Sequence, residues 1–129
     1  LGGFAGAVAD ALTLFEKFEG KLEESNQNLQ RAAVELAKEW RTDKYLRELD
    51  AMLALMDARN SYILSGSGDI IDPEDNVISI GSGSGYALAA ARALLTTGLK
   101  NPAEIVKTAM KITADICIYS NNQITVLEL

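Results

Sequence analysis

The sequence predicts an α+β domain, and three observations carry that reading. Helical periodicity comes in adjacent pairs near either end of the chain. A block of short apolar runs joined by hairpin-type turns lies between them. Single strands do not alternate with single helices, as they would in parallel βαβ units. At 129 residues, 48% of them hydrophobic, the chain fits one domain spanning 1–129, with enough apolar surface for a real core.

Val8, Ala11, Phe15, Phe18 and Leu22 recur at steps of three or four, predicting a helix over about 7–24 with Glu16, Lys17 and Glu23 on its wet side. Ser25-Asn26-Gln27-Asn28 interrupts the pattern, with Asn28 as N-cap of a second helix carrying Leu29, Ala33, Leu36 and Trp40. A helical turn over 45–49 leads into the apolar run Ala51–Met56, read as a strand covered on both faces. Asp57–Asn60 turns the chain into a returning strand, Ser61–Ser65, and Gly66–Asp69 turns it again into Ile70-Ile71. Val77–Ile80 reads as a strand running into Gly81-Ser82-Gly83-Ser84-Gly85, and Tyr86–Thr97 as an Ala- and Leu-rich helix closed by Gly98. Asn101-Pro102 opens a last helix with Ile105, Ala109, Ile112 and Ile116 on its inner face, and 124–128 reads as a closing strand.

Charge and composition narrow the function classes. Twelve basic and 18 acidic residues give a net charge of −6, which leaves no basic surface for nucleic acid or for an anionic membrane. The chain has no histidine, so Ser-His-Asp and Cys-His catalysis are excluded and the commonest zinc ligand is missing. The single Cys117 forms no internal disulfide, which fits a reducing, cytoplasmic setting; within Ile116-Cys117-Ile118 it reads as a buried, inert thiol. The first residues carry neither an initiator Met nor a basic leader, and the chain reads as opening inside an element.

Two glycine-rich turns are the places where chemistry could sit. Gly81–Gly85, between a strand and a helix, either permits close backbone packing or presents N–H groups and serines to a site. It is neither a P-loop, lacking Gly-Lys-Ser/Thr, nor a working nucleophile elbow, because no histidine can activate Ser82. Gly2-Gly3-Phe4-Ala5-Gly6 is either a tight strand-to-helix junction or the source of a backbone oxyanion donor.

Several segments together carry a resemblance. They are Gly3-Phe4-Ala5-Gly6, Ala9-Asp10-Ala11, Thr13-Leu14-Phe15-Glu16, the run from Ala32 to Lys38, Trp40-Arg41-Thr42-Asp43, Ile80-Gly81-Ser82-Gly83, the run from Ala89 to Leu95, and Asp115-Ile116-Cys117-Ile118-Tyr119. In order and spacing the chain resembles the HslV family of proteasome β-like peptidases along essentially its whole length. The resemblance implies an N-terminal-nucleophile hydrolase sandwich in four αββα layers, here partial, with N-terminal strands missing. It implies a homo-oligomer of two stacked six-membered rings around a proteolytic chamber, fed with unfolded protein by the AAA+ ATPase HslU. HslV-type subunits themselves bind no nucleotide.

The chemistry implied is that of an N-terminal threonine whose own α-amino group is the base, since an α-amine titrates near neutrality and needs no histidine. Residue 1 here is Leu1, so that threonine and the lysine and aspartate supporting it are expected upstream, and a chain starting at Leu1 is expected to be inactive. Neither Thr13 nor Thr42 replaces the nucleophile. By the same resemblance Gly3 supplies an oxyanion N–H, Ser82 is an auxiliary serine near the terminal amine, and the carbonyls of Ala114, Cys117 and Ser120 hold a monovalent cation, sodium. The alternatives are a truncated, inactive assembly subunit or another amidohydrolase of the same superfamily.

Overall fold

The computed structural model describes all residues 1–129, and its internal contacts divide the chain into two compact units, Leu1–Ile78 and Ser79–Leu129.

The first unit is a helix pair on an antiparallel sheet. Its strands β1 (Gly2–Gly6), β2 (Ala51–Met56), β3 (Ser61–Ser65) and β4 (Ile70–Ile71) lie side by side in chain order. Helix α1 (Val8–Glu24) follows β1, and α2 (Leu29–Thr42) follows α1, with a single 3₁₀ turn at Leu46–Glu48 leading into β2. Asn28 caps α2, its side-chain oxygen accepting from the Arg31 N–H at 2.9 Å, so one of the helix's orphan donors is satisfied. The chain reverses before that cap through Asn26 (φ 53°) and Gln27 (φ 63°), two left-handed residues in succession.

Between sheet and helices lie Leu14, Leu36, Trp40, Leu53, Leu55 and Leu64, all fully buried. Each contributes about 1.5–3 kcal/mol of transfer free energy. The buried stripe of α1 is Ala11, Leu14 and Phe18; Phe15 and Leu22 pack at its margin, and Val8 is exposed, so the expected stripe is rotated by less than one residue step. Strand β2 buries Ala51, Leu53 and Leu55, while Met52, Ala54 and Met56 are only half-buried, so within this unit one face is covered fully and the other in part. Lys17 and Lys21 of α1 clasp Glu39 of α2 at 2.7 and 3.1 Å.

The second unit holds α3 (Ser84–Thr96) and α4 (Pro102–Ile116). Gly98 (φ +87°) follows α3, and Asn101 caps α4 by accepting from the Glu104 N–H at 3.1 Å. The start of α3 touches the end of α4, so the two helices run antiparallel. The inner face of α4 is Ile105, Ala109 and Thr113, a strict step of four; Ile112 and Ile116, expected on that face, are exposed. The helix turns its small and hydroxylated positions to α3, because the Ala-rich face of α3 (Ala87, Ala91) permits a close approach that Ile112 and Ile116 would hold open. Neither 77–80 nor 124–128 is a strand, contrary to expectation. A strand exists by its ladder, and no segment of the chain pairs with either. No helix is long and apolar enough to cross a membrane.

Candidate functional site

In the first unit, β1 is the first of the four strands, and its register with β2 decides where its backbone groups point. Gly3 faces Ala54 and Gly6 faces Ala51. Leu1 and Met56 exchange both backbone hydrogen bonds, at 2.8 and 2.9 Å, and Ala7 N–H donates to Asp50 O at 3.0 Å. Antiparallel pairs alternate, so Leu1, Gly3, Ala5 and Ala7 direct their N–H groups to β2, while those of Gly2, Phe4 and Gly6 point away from it. The N–H of Gly3 is thereby engaged in the ladder with Ala54. At Gly6 the backbone has φ +123°, and a Cβ there would collide with Asp50 O and come within 2.8 Å of Ala51 Cα. Only glycine fits this junction, which turns β1 into α1. Asp10, in the first turn of α1, ties the junction down by accepting from the Asp50 N–H at 3.0 Å.

In the second unit the Gly81–Gly85 turn rests on the end of α4. Gly81 takes φ +97°, and Gly83 is buried against Thr113, Ser120 and Cys117. A Cβ on Gly83 would run into Thr113 Cγ2 and lie 3.0 Å from Ser120 Oγ. This close approach sets Ser82 over Cys117, whose thiol donates to Ser82 Oγ across 3.8 Å. Ser82 itself is exposed. Hydrogen bonding from the Ser120 hydroxyl, and then from the Tyr119 N–H, draws the Cys117 thiol below its ordinary pKa, against burial, which pushes it up. Cys117 is therefore buried, as expected, but its sulfur faces the glycine turn.

Helix α4 ends at Ile116, where Cys117 leaves the helical conformation (φ −88°, ψ 118°) and donates its N–H to Thr113 O. Ser120 N–H then returns to Cys117 O at 3.0 Å. The Ala114 carbonyl takes no backbone donor from the turn that follows, as befits the last turn of a helix. Of the three residues expected to hold a cation by their carbonyls, Ala114 thus lies in the last turn of α4, Cys117 is its C-cap and Ser120 follows three residues on, with the partial negative charge of the helix dipole behind the first two. Neutral oxygen donors of this kind suit a hard monovalent ion.

Two residues of these sites were not singled out from sequence. Gly6 was visible only as one glycine of several, and its positive φ and outward N–H follow from register. Thr113 carries no motif in the sequence; its hydroxyl is satisfied internally by donating to Ala109 O at 2.8 Å, which lets the side chain be buried.

Comparison with known proteins gives concordant results. A family model described as proteasome subunit matches residues 1–129. "ATP-dependent protease subunit HslV" of Caldicellulosiruptor saccharolyticus is 58% identical over 127 residues, covering 98% of this chain and 72% of that protein. The protein of the same description from Geobacillus sp. (strain WCH70) is 59% identical over 131 residues, covering 100% of this chain and 73% of its own length. Among solved structures, the crystal structure of eukaryotic HslV from Trypanosoma brucei superposes with a TM-score of 0.89 at 48% identity, over 94% of this chain and 70% of that one.

Proposed function

The chain belongs to the HslV family, with the proteasome-type fold, and on that premise we propose that it works as the peptidase subunit of an ATP-dependent protease, cleaving peptide bonds by the family's threonine chemistry. The observation that carries this reading is the likeness at 58–59% identity over 98–100% of the chain, which leaves no segment of different design.

Within that reading the oxyanion donor is the N–H of Gly6, not that of Gly3. Gly6 is the strand-end residue whose N–H points away from β2, whereas the N–H of Gly3 is directed to Ala54. A preorganised backbone donor of this kind contributes to the developing oxyanion without reorganising. Ser82 acts as an auxiliary polar group: it is exposed, held in place by the Gly83 contact, and has no histidine to make it a nucleophile. Ala114, Cys117 and Ser120 would hold a monovalent cation by their carbonyls, and such an ion would neutralise that helix end and fix the turn against which Ser82 rests.

The partner is a hexameric AAA+ unfoldase of the HslU kind, and the subunit assembles with copies of itself into two stacked rings of six in the cytoplasm. Leu95, Val106, Ile112, Ile116, Ile118 and Tyr119 of the second unit are exposed and apolar, a surface that asks for cover. The decisive experiment is hydrolysis of a fluorogenic peptide by the full-length subunit, with and without the cognate ATPase and ATP, alongside native mass measurement. ATP-dependent stimulation of a twelve-subunit particle is expected; a stable monomer with no stimulation overturns the reading. Replacing sodium with tetramethylammonium should lower Tm and turnover, and unchanged values would remove the cation from the account.

A further inference from the structure

The one buried side-chain polar atom without a partner is Trp40 Nε1, on a residue with no exposure at all. An indole N–H sealed in a core without an acceptor costs about 1–3 kcal/mol, and tryptophan is normally buried with its N–H bonded. The residue that faces this atom is Gly66, at the start of the turn after β3. A Cβ on Gly66 would lie 3.4 Å from Trp40 Nε1 and 3.5 Å from the carbonyl oxygen of Leu49. The space beside Gly66 is therefore edged by one donor and one acceptor. No backbone N–H donates to that Leu49 carbonyl from the surrounding turns. Gly66 is itself half-buried, so the space adjoins the surface.

We propose that this space is a structural water site, in which one water accepts from Trp40 Nε1–H and donates to Leu49 O. The water joins α2 to the segment entering β2 beneath the β3–β4 turn. The chemistry suits water rather than a larger ligand: a donor and an acceptor within reach of one small molecule, at a glycine whose missing side chain leaves the room. Two to four polar partners are what a buried water requires.

The sign of a single substitution separates this site from a merely imperfect core. Gly66 has no positive φ, and a methyl there meets only ordinary or slightly tight contacts. By chain entropy alone Gly66→Ala should stabilise the protein. If the methyl instead displaces a water that satisfies the indole, it should destabilise. The expected result in the full-length protein is that Gly66→Ala lowers Tm by a few degrees, whereas the same change in a Trp40→Phe background leaves Tm unchanged or raises it. A crystal structure at water-resolving resolution should show density within hydrogen-bonding distance of both Trp40 Nε1 and Leu49 O, absent in Gly66→Ala. That map keeps the test decisive even if Trp40→Phe fails to fold. A Tm that rises on Gly66→Ala, a direct bond from Nε1 to Leu49 O, or a dry site in the map overturns the proposal.

Discussion

Gly83 and Thr113 touch so closely that no side chain fits between them: a methyl at residue 83 would strike Thr113 Cγ2 and crowd Ser120 Oγ. The backbone at Gly83 is unstrained, with φ −92°, so the need for glycine is purely one of space. Gly83→Ala should therefore cost about 1–3 kcal/mol, as overpacking of a tight contact does, and should slow turnover by shifting Ser82. Thr113→Ser, which deletes the struck methyl, should restore part of both losses. Melting curves and peptide hydrolysis on the single and double variants check this.

Gly3 and Gly6 give opposite expectations. A Cβ on Gly3 meets nothing within 4 Å, whereas one on Gly6 meets Asp50 O at φ +123°. Gly3→Ala should leave stability within about 0.5 kcal/mol and turnover largely intact, as surface substitutions do. Gly6→Ala should destabilise by about 1–3 kcal/mol and nearly abolish hydrolysis. Loss of activity in Gly3→Ala, with the protein still folded, would return the donor role to Gly3.

Ser82→Ala removes the acceptor of the Cys117 thiol and a hydroxyl, but no nucleophile. Turnover should fall about tenfold, equivalent to ~1.4 kcal/mol, and residual activity should persist. Mass spectrometry after treatment with an acylating peptidase inhibitor should find no adduct on Ser82; an adduct there would contradict the assignment.

The α1–α2 clasp predicts an acid-sensitive term. Glu39 is held below its ordinary value of 4.5, first by its hydrogen bond from Lys17 and then, against partial burial, by Lys21. A carboxylate with a lowered folded pKa stabilises fully above its unfolded value, and that contribution fades as pH falls through the folded one. Stability should thus drop below about pH 4.5. Glu39→Gln should flatten that limb while costing no more than about 1 kcal/mol at neutral pH, since all three side chains remain partly solvated. Denaturant titrations across pH 3–7 would show it.

What the sequence made legible was whatever depends on local period and capping. Asn28 and Asn101 cap their helices as their positions imply, and the β2–β3 hairpin closes where Asp57–Asn60 places it. What stayed hidden depends on partners. Val77–Ile80 has strand composition, yet a strand is made by its neighbour, and none adjoins it here. Hydrophobicity alone turns Ile112 and Ile116 inward, but it does not encode how close α3 comes, and the small contact surface selects Thr113 instead. The exposed turn that carries Ser82 was legible from its glycines, whereas its packing on Thr113 and Cys117 was not. Which way the N–H groups of Gly3 and Gly6 point was also hidden, because the direction of an N–H follows from register, which composition does not encode.

Trp40 is the chain's one tryptophan, and it is enclosed in the first unit; the second unit has only Tyr86 and Tyr119 among its aromatics. Indole emission therefore reports directly on the sheet and its helix pair, while far-ultraviolet ellipticity records the helices of both units. Overlaying the two signals in one denaturant series would say whether the halves melt as a single cooperative system or in sequence. Coincident curves mean that a perturbation such as Gly83→Ala is felt at the indole, and separated curves mean that Trp40 stays silent while the Ser82 turn comes apart.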